Sequence, residues 1–231
     1  PSDDDARDAV LALRRDAGDL ERLAVDLERS VIQGGGDVDA LNLELAQLYH
    51  EHLGRSREAV SSVRTVLRND PKNTGALALA GELVDVSSCR RQALTILQSA
   101  YRSAAAWPEL AGVLQQVADT TSGRARSRAL EELAALHQEQ LAQPEEALHA
   151  LTAALELQPS AALLERAVAL AKEHASKETL TRIFDLALGG SLTAADRADV
   201  LAAAAEHYQV EREDFEKAEK LWQQLLEIAP T

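Results

Sequence analysis

Residues Leu41–Pro71 read LNLELAQLYHEHLGRSREAVSSVRTVLRNDP. The same plan returns at Ala129–Pro159, ALEELAALHQEQLAQPEEALHALTAALELQP, and at Val200–Pro230, VLAAAAEHYQVEREDFEKAEKLWQQLLEIAP. In each copy a ring residue (Tyr49, His137, Tyr208) stands ten positions before an alanine (Ala59, Ala147, Ala218), and that alanine stands twelve before a proline (Pro71, Pro159, Pro230). A further alanine (Ala46, Ala134, Ala205) sits three before the ring. Small residues at these places let a second helix approach closely, the ring fills the gap above, and proline cannot donate to a continuing helix. The pattern predicts a helix, a tight turn, a second helix and a stop.

With these residues in view, the sequence resembles the tetratricopeptide repeat, a helix–turn–helix unit of about 34 residues with the same small–ring–Ala–Pro order. It departs from that pattern in two ways. Each copy runs one residue longer in the turn, and Asn42, Leu130 and Leu201 stand where the family carries a tryptophan. The resemblance implies an all-α, right-handed α-solenoid of stacked antiparallel helix pairs. It also implies a scaffold or adaptor whose first helices line a groove.

Composition agrees with helices. The chain is 46% apolar but only 3% aromatic, and its alanine and leucine suit closely packed helices better than a sheet. Helical periodicity predicts about thirteen helices across 1–231, read as a single solenoid. The chain has no methionine and closes just after Pro230, so we expect an excerpt of a longer repeat protein. Copies one and two are offset by 88 residues, copies two and three by 71. The difference, 17, is one helix with its turn, and we assign the extra helix to Cys89–Ala104. Residues Gly18–Leu23 also align with Ala105–Leu110 at an offset of 87.

A net charge of −14 argues against nucleic acid, whose binding needs a basic stripe, and disfavours an anionic membrane surface. No apolar run reaches membrane-spanning length, so direct insertion is not expected. The single cysteine, Cys89, allows no disulfide within the chain, which fits a cytoplasmic setting. Cys89 has no neighbouring His or CxxC partner and reads as an inert thiol.

Chemistry is sparse. His50 and His52 lie about 200° apart around a helix and do not chelate together. Glu146-x-x-His149 has di-iron spacing, but a di-iron site needs a second such pair and further carboxylates. The histidines therefore read as solvated surface groups, with His137 as a packing ring. Gly34-Gly35-Gly36 lacks the Lys-Ser/Thr of a phosphate loop and reads as a turn. No cofactor, metal or catalytic residue is expected, and the chain is not read as an enzyme.

Carrying the family's groove positions onto this sequence gives Leu43, Gln47, His50 and Glu51 in the first copy. The second gives Arg128, Glu131, Gln138 and Glu139, and the third Ala202, Glu206, Gln209 and Val210. Chaperone-binding members clamp a terminal carboxylate with Lys and Asn there; this chain has neither, and acids dominate. The expected partner is therefore a protein, through a basic or amphipathic segment, or a small GTPase, a partner class that the architecture also serves. The rival readings are a structural spacer or self-assembly segment, and a non-catalytic region of a larger enzyme.

Overall fold

The computed structural model describes residues 3–16, 18–34 and 36–228. They form thirteen α-helices, with no strand among the described residues. The first five are α1 (Asp3–Asp16), α2 (Leu20–Gln33), α3 (Val38–Gln47), α4 (Ser56–Asn69) and α5 (Thr74–Asp85). After them come α6 (Arg90–Ala104), α7 (Trp107–Thr120), α8 (Gly123–Glu139) and α9 (Pro144–Leu157). The last four are α10 (Ala161–His174), α11 (Lys177–Gly189), α12 (Ala194–Val210) and α13 (Phe215–Ile228). The helices divide into two compact units, with the border between Val113 and Leu114 inside α7.

The helix starts follow from side chains that satisfy orphan amides. Asp37 accepts from the Asp39 and Ala40 amides, Asn73 from Ala76, Ser160 from Leu163, Ser176 from Thr179 and Thr193 from Asp196. Ser56 is the first residue of α4, and its hydroxyl pairs with His50 Nδ1 at 3.2 Å. Thr193 and Asp196 form half of a capping box, the Asp196 amide donating to the Thr193 hydroxyl at 3.1 Å. The Asp196 carboxylate accepts from the Thr193 hydroxyl at 2.6 Å and from the Ala161 amide at 3.0 Å, so one acid serves the starts of both α10 and α12. Hydrogen bonds from Thr193 and Ala161 hold its carboxyl below the usual range.

In the first unit α3 pairs with α4 and α5 with α6, while α2 packs on α3. In the second, α8 pairs with α9, α10 with α11 and α12 with α13. Ala46, Ala59, Ala134, Ala147, Ala205 and Ala218 are all buried, as close helix approach requires. Tyr49 and Tyr208 are buried and His137 half-buried. Pro71 and Pro159 follow the ends of α4 and α9; Pro230 lies outside the described residues.

The extra helix is not the expected one. α6 packs on α5 and touches α4 just as α11 packs on α10 and touches α9, so residues 90–104 are an ordinary member of the stack. By count, the odd helix is α7.

The extra residue of each turn has a common structure. The carbonyl of the ring residue accepts an amide six residues on: Arg55 to Tyr49 at 2.7 Å, Gln143 to His137 at 2.9 Å and Asp214 to Tyr208 at 2.9 Å. The residue before each donor is left-handed: Gly54 (φ 65°), Ala142 (φ 52°) and Glu213 (φ 54°). This is a Schellman-type ending widened by one residue. In the first copy the widening runs back as a π-turn over Leu48–His52, so α3 ends as α-helix at Gln47. Ordinary Schellman turns close α1 and α6, where Asp19 donates to Arg14 and Ala106 to Tyr101 across Gly18 and Ala105.

Candidate protein-binding groove

In the first unit the predicted residues lie on α3 and its π-turn. Gln47 and Glu51 are exposed, whereas Leu43 and His50 are half-buried. A Cβ at Gly75 would come within 2.8 Å of Leu43 Cδ2, so the glycine lets α5 close onto α3 over the leucine. His50 is held between Ser56 and the Glu82 carboxylate, the latter 3.8 Å from Nε2. It is not the solvated group expected from the sequence.

In the second unit the predicted residues separate. Arg128, Gln138 and Glu139 are exposed on α8. Glu131 accepts from Ser127 at 3.2 Å and lines a cavity of about 700 Å³ with Pro159, Ser160, Arg166 and Gly190. Gln209 accepts from the Trp222 indole at 3.3 Å, tying α12 to α13. Glu206 and Val210 do come together. They line a cavity of about 150 Å³ with Val168, Lys172, Phe184, Ala203, His207 and Glu211.

That cavity shares Val168, Lys172, Phe184 and Ala203 with a larger one of about 470 Å³, walled by Leu164, Glu165, Asp199 and Val200. Together they make a cleft along α10 and α12, first helices of neighbouring pairs that pack on each other. Its floor is apolar. Of the charged residues that line it, Glu165, Asp199, Glu206 and Glu211 are acids and Lys172 is the base. The α10 half, with Phe184 of α11, was missed by the motif, which marks α3, α8 and α12 but leaves α10 unmarked. The alternation of helices was the signal that reveals it.

His207 sits behind the cleft and corrects the surface reading of the histidines. It is buried, stacked on Phe184 with ring centroids 4.7 Å apart, and edge-on to Tyr208 at 5.4 Å. The Thr181 hydroxyl donates to the Lys177 carbonyl at 2.8 Å, so the imidazole Nε2–H donates to Thr181 Oγ1 at 3.1 Å. Nδ1 is then a bare acceptor with no hydrogen-bond partner among the described residues. Burial pushes the His207 pKa down. Arg212 and Lys172 add to that, against Glu211 and Asp185.

A polar node braces the same helices. The Tyr208 hydroxyl donates to Asp185 at 2.6 Å, and Lys217 Nζ donates to both, at 2.7 and 2.8 Å. Burial alone would raise the Asp185 carboxyl, but hydrogen bonds from Lys217 and Tyr208 hold it below its usual range. Tyr49 makes the parallel contact in the first unit, donating to Glu28 of α2.

Among the described residues no group of three metal-ligating side chains converges, and no helix is long and apolar enough to cross a membrane. No protein-family model and no curated protein matches the sequence. Solved structures that resemble the chain include two helical-repeat proteins. One is the C-terminal part of a TPR repeat-containing protein from Cytophaga hutchinsonii, 16% identical over 96% of this chain and 95% of that one, with a TM-score of 0.38. The other is pilF of Pseudomonas aeruginosa, 18% identical over 98% and 93%, with a TM-score of 0.34. Helix pairing, buried small residues and the shared turn establish the fold from within: the chain is an all-α, tetratricopeptide-like stack of helix pairs.

Proposed function

We propose that the chain is a protein-interaction scaffold and that its second unit holds a polypeptide segment in the cleft between α10 and α12. One observation carries this reading. An apolar floor of Leu164, Val168, Phe184, Val200 and Ala203 is rimmed by four carboxylates and one lysine. An apolar segment with basic flanks fits such a surface: the apolar anchors supply affinity, and the charges supply selectivity and speed of encounter. The net charge of −14 likewise steers positively charged partners during encounter. Glu206 and Val210 belong to this cleft; Glu131 and Glu139 on α8 extend its acidic bias within the unit.

The test is fluorescence anisotropy with amphipathic peptides of equal apolar content and opposite charge. Basic peptides are expected to bind, more weakly as salt rises, with the change mainly in association rate. Val168→Glu should abolish binding, and Glu165→Lys with Asp199→Lys should reduce it without loss of helicity. Equal binding of acidic peptides, or indifference to Val168→Glu, places the site elsewhere.

A further inference from the structure

The chain is strongly acidic, yet two neighbouring helices of the first unit are basic. α4 carries Arg57, Arg64 and Arg68 against one acid, Glu58, and α6 carries Arg90, Arg91 and Arg102 against none. The repeat shows that packing does not demand these arginines. The places of Arg57, Arg64 and Arg68 are taken by Glu145, Thr152 and Glu156 in α9, and by Glu216, Gln223 and Glu227 in α13. Both of those helices pair with their partners without a basic residue there. α11, the counterpart of α6, balances Lys177 and Arg182 with Glu178 and Asp185.

Helix geometry gathers the arginines. Arg57, Arg64 and Arg68 are spaced by seven and four and share one face of α4, while Arg91, Thr95 and Ser99 share one face of α6. α4 and α6 touch, and there Arg64, Arg68, Thr95 and Ser99 rim a cleft of about 250 Å³. Buried Leu67, Ile96 and Ala100 form its floor. No acid is among the described residues that line it. Arg64 and Arg68 are exposed, with no ion-pair or hydrogen-bond partner among the described residues. The Thr95 hydroxyl is committed to the Arg91 carbonyl at 2.8 Å, whereas Ser99 keeps its donor.

We propose that the first unit takes a short acidic polypeptide segment along α4 and α6. Its carboxylates meet Arg64 and Arg68, with Arg57 and Arg91 beside them, and one apolar side chain enters the notch over Leu67 and Ile96. A guanidinium offers paired donors that match a carboxylate. Each exposed pair contributes little, so several act together with the apolar anchor. From Arg57 to Arg68 the stripe runs about 17 Å, the length of about five residues of extended chain. A nucleic acid or an anionic membrane would overrun so short a stripe and meet the acids of the remaining chain. The site is separate from the cleft between α10 and α12 and opposite to it in charge preference. The net charge of −14 opposes its ligand, so an acidic segment binds more weakly here than a basic one binds in that cleft.

Fluorescence anisotropy on the full chain tests this, with a labelled peptide of one leucine among glutamates and a copy with glutamine for every glutamate. The acidic peptide should bind, more weakly as salt rises, and the glutamine copy should not. Arg64→Glu with Arg68→Glu alters exposed positions and should weaken binding roughly tenfold or more, with helicity kept in circular dichroism. Arg64→Gln with Arg68→Gln repeats that arm with a milder change. Arg182→Glu with Arg197→Glu adds the same negative charge at exposed places in the second unit and should leave binding unchanged. Val168→Glu, which disables the other cleft, should also leave it unchanged. Tighter binding of an oligonucleotide or of anionic vesicles overturns the proposal, as does self-association that the Arg64 and Arg68 reversal abolishes. Equal binding of the glutamine copy, indifference to the α4 variants, or equal loss in the second-unit variants overturns it too.

Discussion

Three residues at equivalent places, Gly54, Ala142 and Glu213, share one left-handed backbone conformation, yet only the first is suited to it. An L side chain in that region costs on the order of 1 kcal/mol, partly offset by glycine's greater freedom when unfolded. Ala142→Gly and Glu213→Gly are therefore expected to stabilise the chain by roughly 0.5–1 kcal/mol, and Gly54→Ala to destabilise it similarly, in urea unfolding. Ring residues and small residues were legible because each copy repeats them. The turn was not, since three unlike residues occupy its decisive position and only hydrogen bonding reveals their equivalence. His207 was illegible for a related reason: it neighbours the ring position without belonging to the motif, and its burial depends on Phe184 of another helix. It also gives a pH dependence. A histidine whose pKa is lowered on folding binds its proton more readily unfolded, so stability is full above about pH 6.5 and falls as pH drops towards the folded value. The cationic form would meet Lys172 and Arg212 with only Glu211 and Asp185 in compensation. Thermal melting should weaken between pH 6.5 and 5, and His207→Leu should flatten that dependence. An unchanged slope in the variant would move its cause to other groups.

For the helices, alanine spacing was the most legible signal, and its energetic meaning is specific. Ala134 is fully buried where α8 and α9 cross, so a larger side chain has no space to enter without moving a helix. Ala134→Leu should cost on the order of 1–3 kcal/mol, measured by denaturant midpoint, whereas the same change at exposed Ala125 should cost little. The identity of the odd helix could not be read in this way. Offsets of 88 and 71 count helices but do not say which one pairs with which, and 90–104 and 107–120 satisfy the arithmetic equally. Packing of α6 on both α5 and α4 decides it. The cleft between α10 and α12 shows the same limit. Motif residues located α12, while α10, its other wall, has helical periodicity but no ring-and-proline signature. Glu206 and Val210 are among the positions carried over from the motif, whereas Val168 and Phe184, which line the same cavity, are not.

On the scale of the whole chain, the two compact units carry different equipment. The acidic cleft, the buried imidazole and the Tyr208–Asp185–Lys217 node all belong to the second. The first holds Cys89, the only sulfhydryl of a chain that also has no methionine, completely buried just before α6. A thiol reagent therefore has one target and no route to it while α5 and α6 stay packed. Its reaction rate, divided by the rate for the unfolded chain, yields the fraction of time the first unit spends open. With no second sulfur to obscure the signal, that number can be followed while the other unit is titrated, mutated or acidified. The chain thus contains its own clock for whether a disturbance in one unit is felt in the other.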